Sequence, residues 1–444
     1  MRLVIHPGRA LCGETRLPGD KSISHRAALF AALAVGQSRI ENFLVSGVTQ
    51  AMLEALSALS VHWELRGDTL GVRGQGLLGL RPPARPIDCG NSATTLRLLA
   101  GALAASGLPG ILDGSPGLRR RPMDRIVAPL RGMGVPIAAM PGGHAPLTLF
   151  PRPPGQNLQA LDYHTPVASA QVKSCLLLAA LAADGPSRLT EPARSRDHTE
   201  RILAAMGVAV QASRVGDGWQ VALAPSSGDL KPLHMAIPGD FSAAAFLIVA
   251  AAITPGSVVV LRGVGLNPTR TGLLTTLQEM GADIRVSNRA WQSGEPVGDL
   301  VVRSGALHGV QVDSERAVAM IDEFPAFAVA AACARGRTEA CQAVELRVKE
   351  TDRIAAICQE LRAQGVPVEE KADGFVVEGN GTIPGGGMAS SHGDHRLAMA
   401  LAVAGLAAQN PIGVASAEVI GESYPGFADC LRTLGAQVES LPDG

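Results

Sequence analysis

Aromatic residues are scarce, 3% of 444 residues, with nine Phe, three Trp and two Tyr. With 46% hydrophobic residues overall, the core must be built from Ala, Leu and Val. Charge of one sign is lacking too. The formal net charge is −1, which argues against a general nucleic-acid or membrane-surface binder. Arg119-Arg120-Arg121 is the one basic run, and it has no interleaved aromatics. Seven cysteines are scattered without a Cys-x-x-Cys pair, so neither a disulfide framework nor a zinc site is indicated. Long hydrophobic runs are absent, since stretches such as Ala243–Ile253 are too short to span a bilayer. Met1–Gly13 has neither a signal-peptide nor a transit-peptide character, so a cytoplasmic location is expected.

What the chain does have is repetition. Leu17–Leu33 reads LPGDKSISHRAALFAAL. Pro-Gly breaks the preceding segment, and Asp20 and Ser22 are candidate caps for an Ala-rich helix that is apolar on nearly every side. Lys21 and Arg26 sit in its first turns, where the helix dipole disfavours cations, which points to an anion brought to the same place. Similar segments begin at Asn91, Ser169, Asp240, Asp322 and Asp394. A second, amphipathic helix alternates with the first. Its copies close on Ser60-Val61, Gly134-Val135, Gly207-Val208, Gly281-Ala282, Gly365-Val366 and Gly435-Ala436, where Gly suits a left-handed C-cap. Short strands such as Ser257–Leu261 and Asp299–Val302 lie between. The pattern predicts six units of about 74 residues. Leu17–Ser22 (LPGDKS) matches Ile237–Ser242 (IPGDFS) half a chain away, which predicts two halves of three units.

If the buried helices of each half run parallel, their N-termini share one end and form an anion site. Cations concentrate near these starts: Lys21, Arg26, Arg97, Arg121, Arg125, Lys173, Arg196, Lys349, Arg353 and Arg396. A ligand with several phosphates or carboxylates is their natural complement. Three acids share the setting. Asp322 and Asp394 are candidate acid–base groups or simple caps, and Glu350 is a candidate acid–base group or a surface helix salt bridge. Gly19-Asp-Lys-Ser22 departs from the phosphate-loop NTPase motif, and His392-Gly-Asp394-His395 lacks further metal partners.

Nine ordered motifs then resemble one family along nearly the whole chain: PGDKSISHR, CGNSATTLR, RRRPMDR, ASAQVKS, SRDHTE, NPTRTG, MIDEFP, LRVKETDR and GDHRLAMA. The chain is similar to bacterial 5-enolpyruvylshikimate-3-phosphate synthases. The resemblance implies an α/β fold of two similar domains, each of three βαβαββ repeats, an inside-out α/β barrel of the enolpyruvyl transferase type. It implies one domain over residues 20–237, a second formed by 1–19 and 238–444, and hinges near 17–20 and 237–240. The implied activity moves the enolpyruvyl group of phosphoenolpyruvate onto the 5-hydroxyl of shikimate 3-phosphate, in the pathway to chorismate and aromatic amino acids, with no metal and no cofactor. By resemblance, shikimate 3-phosphate would be held by Lys21, Ser22, Arg26, Ser169, Ala170, Gln171, Arg196, Asp322 and Lys349. Phosphoenolpyruvate would be held by Lys21, the backbone at Ala93, Arg121, Gln171, Arg353 and Arg396, with Asn91 and His395 lining the site. Asp322 would be the base at the hydroxyl, Glu350 the proton carrier at C3, and Lys21 would stabilise charge. Both substrates are small molecules, and a monomer without nucleic-acid or membrane partners is expected.

Three positions depart from one common form of the family. Ala93 stands where that form has Gly, and its methyl is expected to hinder glyphosate, which resembles phosphoenolpyruvate but is longer. Ala170 replaces a serine, removing one phosphate contact. Glu422 stands where that form has a lysine that contacts phosphoenolpyruvate. Two other readings compete: the sister enzyme that transfers enolpyruvyl to UDP-N-acetylglucosamine, and a non-catalytic anion-binding scaffold. The sister enzyme carries a cysteine in a loop that here, at Asp113–Arg125, has none.

Overall fold

The computed structural model describes residues 1–153, 155–225, 228–312 and 314–442. Six helices are buried along most of their length: α1 (Lys21–Leu33), α2 (Ala93–Ser106), α3 (Ala170–Ala180), α4 (Phe241–Ile253), α5 (Phe324–Cys333) and α6 (His395–Leu406). They can be buried on all sides because they are rich in Ala and carry few polar groups beyond the first turns. Small residues also let their backbones approach. A Cβ added at Gly101 of α2 would lie 2.3 Å from the Cys175 carbonyl oxygen of α3, so this contact requires glycine.

Each buried helix belongs to a βαβαββ unit with its own four-stranded sheet. In one of them Ile87–Asp88 pairs parallel with Gly110–Asp113, which pairs antiparallel with His144–Leu149, which pairs antiparallel with Ile137–Met140. Among the described residues the same order, first-second-fourth-third, recurs in all six four-stranded sheets. Three sheets borrow a strand from a distant part of the chain. His234–Ala236 supplies the first strand beside α1's sheet, and Cys12–Arg16 supplies the first strand of α4's sheet. Arg2–His6 supplies the last strand of α6's sheet.

The amphipathic helices all end alike. Ser60, Gly134, Gly207, Gly281, Gly365 and Gly435 have positive φ. The next residue's N–H then bonds back to the carbonyl of a leucine five residues earlier, Leu56, Leu130, Leu203, Leu277, Leu361 or Leu431, at 2.9 or 3.0 Å. This is the 6→1 bond that ends a helix through a left-handed residue.

Contacts divide the chain into two compact units. One comprises Met1–Pro18, Pro238–Trp291 and Pro296–Gly444 and contains α4, α5 and α6. The other comprises Gly19–Ile237 with Gln292–Glu295 and contains α1, α2 and α3. Each has its own apolar cluster around its three helices. The grouping of Gln292–Glu295 with Gly19–Ile237 was not legible in the sequence. It rests on contacts such as Gln292 Nε2 donating to the Ala236 carbonyl at 2.9 Å and Glu295 Oε1 lying 2.7 Å from His198 Nδ1.

Candidate active site

In the Gly19–Ile237 unit the starts of α1, α2 and α3 converge. Asp20 caps α1 by accepting the Ile23 N–H at 2.9 Å, and Ser92 caps α2 by accepting the Thr95 N–H at 3.1 Å. Ser169 holds the cap position of α3 without a side-chain cap bond. Side chains run between these first turns. Gln171 of α3 donates to Thr94 Oγ1 at 2.8 Å and accepts from Arg97 at 2.5 Å. Arg26 is buried and donates to Thr199 Oγ1 at 2.8 Å, to the Ser22 carbonyl at 2.9 Å and to Ser174 Oγ at 2.8 Å. Arg196 reaches Ser22 Oγ at 3.4 Å, and Asn91 Oδ1 accepts from Ser115 Oγ at 2.9 Å. Lys21, the first residue of α1, and Arg121 are partly exposed, while Ala93, the first residue of α2, is buried beside the apolar cluster. Converging helix N-termini with partly exposed cations suit an anion.

His25 joins two of these starts. Its Nδ1 lies 2.8 Å from the Lys21 carbonyl, and its Nε2 lies 3.1 Å from the Val48 carbonyl and 3.2 Å from Ser92 Oγ. Burial pushes its pKa down to about 4; the Lys21 carbonyl opposes this and the Lys21 and Arg26 charges add to it. At neutral pH the ring is therefore uncharged and can donate from one nitrogen only, although both nitrogens face carbonyl oxygens.

In the other unit the starts of α5 and α6 meet the helix Arg353–Ala363. Arg353 is the hub. Its Nε lies 2.6 Å from Asp394 Oδ2, one terminal nitrogen 2.7 Å from Glu350 Oε2, and the other 3.2 Å from Asp322 Oδ1. Arg353 is 1% exposed. Burial works against its charge, but the Asp394, Glu350 and Asp322 carboxylates outweigh it and raise its pKa above the usual arginine value. Asp322 lies also 3.6 Å from Lys349 Nζ and 3.7 Å from an Arg396 nitrogen, and its carbonyl accepts from Arg396 at 3.2 Å. Asp394 is fully buried and caps α6 by accepting the Arg396 N–H at 2.8 Å. His395 Nδ1 lies 3.5 Å from Glu422 Oε2, so Glu422 faces an imidazole.

Several expectations need correction. The helix starts placed at Asn91 and Asp322 fall one residue later, at Ser92 and Glu323. Asp322 is therefore not a cap, and its carboxylate is turned to Arg353, Lys349 and Arg396. Asp394 is a cap, as the simpler reading held, and an Arg353 partner as well. Ser22 is not the cap of α1, because Asp20 fills that role. Glu350 is not in a surface helix pair; it precedes the helix and meets a buried arginine. Lys173, counted among the anion-binding cations, is wholly buried and lies 2.9 Å from Glu191 and 2.8 Å from Glu200. Arg97 is buried against Gln171 and the Pro122 carbonyl. In the α5–α6 cluster the cations Lys349, Arg353 and Arg396 are paired with Asp322, Glu350 and Asp394, so their charge is largely met within the protein. His392 lies 2.6 Å from Glu360. Among the described residues one group, Asp197, His198 and Glu295, brings metal-ligand atoms near one another, but Asp197 is held by Arg194 at 2.8 Å and Arg201 at 2.9 Å. Sequence reasoning missed His25, Ser174 and Thr199, although each lies within a quoted motif.

Over residues 5–431 the sequence matches the family described as EPSP synthase (3-phosphoshikimate 1-carboxyvinyltransferase). The chain belongs to this family. Curated relatives named 3-phosphoshikimate 1-carboxyvinyltransferase include one from Parvibaculum lavamentivorans, 47% identical over 98% of this chain and 96% of the relative. Another, from Halorhodospira halophila, is 48% identical over 98% of this chain and 96% of its own length. A solved EPSP synthase from Acinetobacter baumannii is similar with a TM-score of 0.85 at 39% identity, covering 99% of this chain and 100% of that one. EPSP synthase membership accounts for the six repeated βαβαββ sheets, which are those of the enolpyruvyl transferase fold, and favours neither the UDP-sugar enzyme nor a non-catalytic scaffold. Among the described residues no helix is long and apolar enough to cross a membrane.

Proposed function

We infer that the protein transfers the carboxyvinyl group of phosphoenolpyruvate to the 5-hydroxyl of shikimate 3-phosphate and releases phosphate, the activity for which its family is named. The observation that carries this reading is the Arg353 hub. A buried arginine ties together Asp322, Glu350 and Asp394, with Lys349 and Arg396 beside them, where a proton acceptor and an anion grip are both required.

In this reading Lys21, Ser22, Ser169, Gln171, Arg196, Asp322 and Lys349 bind shikimate 3-phosphate, together with the backbone at Ala170. Arg26 belongs to the same set, and its bonds to Thr199, the Ser22 carbonyl and Ser174 hold Ser22 and the α3 start in place around the substrate. Lys21, Arg121, Gln171, Arg353, Arg396 and the first N–H groups of α2 at Ala93 take phosphoenolpyruvate, with Asn91 and His395 nearby. The hydroxyl oxygen attacks C2 of phosphoenolpyruvate, and its proton passes to the Asp322 carboxylate. C3 gains a proton from Glu350, giving a tetrahedral intermediate. C3 then returns a proton as the C–O bond to phosphate breaks. Lys21 balances charge on the reacting oxygens. The residues invoked supply acid, base and cation, and the reading calls on no cofactor.

Phosphate release with both substrates tests the reaction. Asp322→Ala should bind shikimate 3-phosphate and lose most turnover; unchanged turnover refutes the base assignment. A cytoplasmic monomer, with hinges near residues 17–20 and 237–240, belongs to the same reading. Light scattering checks the monomer.

A further inference from the structure

Three ionisable groups that the reaction does not use are shut away together in the Gly19–Ile237 unit. Lys173 and Glu191 are 0% exposed and Glu200 is 6% exposed. Lys173 Nζ lies 2.9 Å from Glu191 Oε2, 2.8 Å from Glu200 Oε1 and 3.4 Å from the Ser195 carbonyl. Both carboxylates act on the ammonium first through charge and then through hydrogen bonding. Burial alone would lower the lysine pKa, but the two carboxylates raise it, and the ammonium stays charged. Replacing buried ions of this kind with apolar groups is often neutral or stabilising, so stability does not by itself explain them.

Their bonds lead outward to the substrate side. Glu191 Oε1 accepts the Ser169 N–H at 3.0 Å and the Ser195 hydroxyl at 2.7 Å. Ser169 opens α3, and Ser195 immediately precedes Arg196, which reaches Ser22 Oγ. Glu200 lies on the helix His198–Ala205, next to Thr199, which accepts from Arg26. The Glu191 arm thus ends on Ser169 and Arg196, and the Glu200 arm lies beside Thr199, the partner of Arg26.

We propose that Lys173, Glu191 and Glu200 form a positioning triad that sets Ser169 and Arg196 to receive the phosphate of shikimate 3-phosphate. Ser195 is its link, because its hydroxyl is held by Glu191 and its carbonyl by Lys173. This rests on the substrate reading above. The triad touches no substrate, so its loss weakens one substrate rather than the chemistry.

The test compares Ser195→Ala, Ser195→Thr and Lys173→Met with the unaltered protein. Calorimetry gives the shikimate 3-phosphate Kd, and initial rates give kcat and both KM values. Ser195→Ala should raise the shikimate 3-phosphate Kd and KM about ten-fold, leave the phosphoenolpyruvate KM within about two-fold and hold kcat. Ser195→Thr keeps the hydroxyl and should restore binding. Lys173→Met leaves two buried carboxylates without their cation; where it folds, its Kd should rise further, and where it does not, the serine pair decides. Unchanged Kd in Ser195→Ala, or equal loss of both substrates with a lowered Tm, overturns the triad's role. No binding of shikimate 3-phosphate by the unaltered protein overturns the substrate reading itself, and the triad's role with it.

Discussion

His25 should make the Gly19–Ile237 unit sensitive to mild acid. Its pKa is about 4 in the fold against 6.5 for an ordinary histidine. Between those values the unfolded chain binds a proton that the folded chain refuses, so stability rises with pH across the window. The contribution is fully present above about pH 6.5 and is lost as pH falls through about 4. The difference corresponds to about 3 kcal/mol, a large part of the margin by which a domain is folded. Urea denaturation at closely spaced pH values measures it. Trp63 and Trp219 lie in this unit and Trp291 in the other, so a Trp291→Phe background confines the fluorescence signal to the unit of interest. His25→Gln keeps a donor for one carbonyl but cannot gain the proton. It should cost about 1–2 kcal/mol at neutral pH through lost hydrogen bonds, and its stability should fall less steeply in acid. Parallel pH profiles for His25→Gln and its parent would refute the reasoning.

Other substitutions probe the remaining contacts. Arg353→Lys keeps one charge but cannot serve Asp394, Glu350 and Asp322 together; thermal denaturation should show a loss of about 2–4 kcal/mol, and the phosphoenolpyruvate KM should rise at least about ten-fold. Gly101→Ala pushes a methyl against the Cys175 carbonyl and should destabilise by about 1–3 kcal/mol in the same measurement. Ala93→Gly removes the methyl at the first residue of α2 and should lower the glyphosate inhibition constant with a smaller change in phosphoenolpyruvate KM; equal sensitivity in both proteins rejects a role for the methyl.

The repeats were legible because both helix types carry local signals. An Ala-rich run after a capping residue marks each buried helix, and a Leu five residues before the residue that follows Gly or Ser60 marks each helix end. The position of the caps was less legible. Asn91-Ser92 and Asp322-Glu323 each offer two adjacent polar residues, and the chain alone does not say which one faces the helix N–H groups. The triad around Lys173 was misread for a similar reason. A lysine near a helix start looks like an anion ligand until Glu191 and Glu200, from a strand and another helix, are seen to meet it.

The sequence by itself determined the six units, their helix ends and the residue types that converge at the helix starts, since each of these is encoded within a few neighbouring residues. Only the tertiary structure decided which charges neutralise one another. Lys173 with Glu191 and Glu200, and Arg353 with Asp322 and Asp394, meet across elements distant in the chain; only Glu350 is a near neighbour of Arg353 in sequence. A charge acts through its nearest partners at distances of a few ångströms, and sequence spacing does not carry those distances.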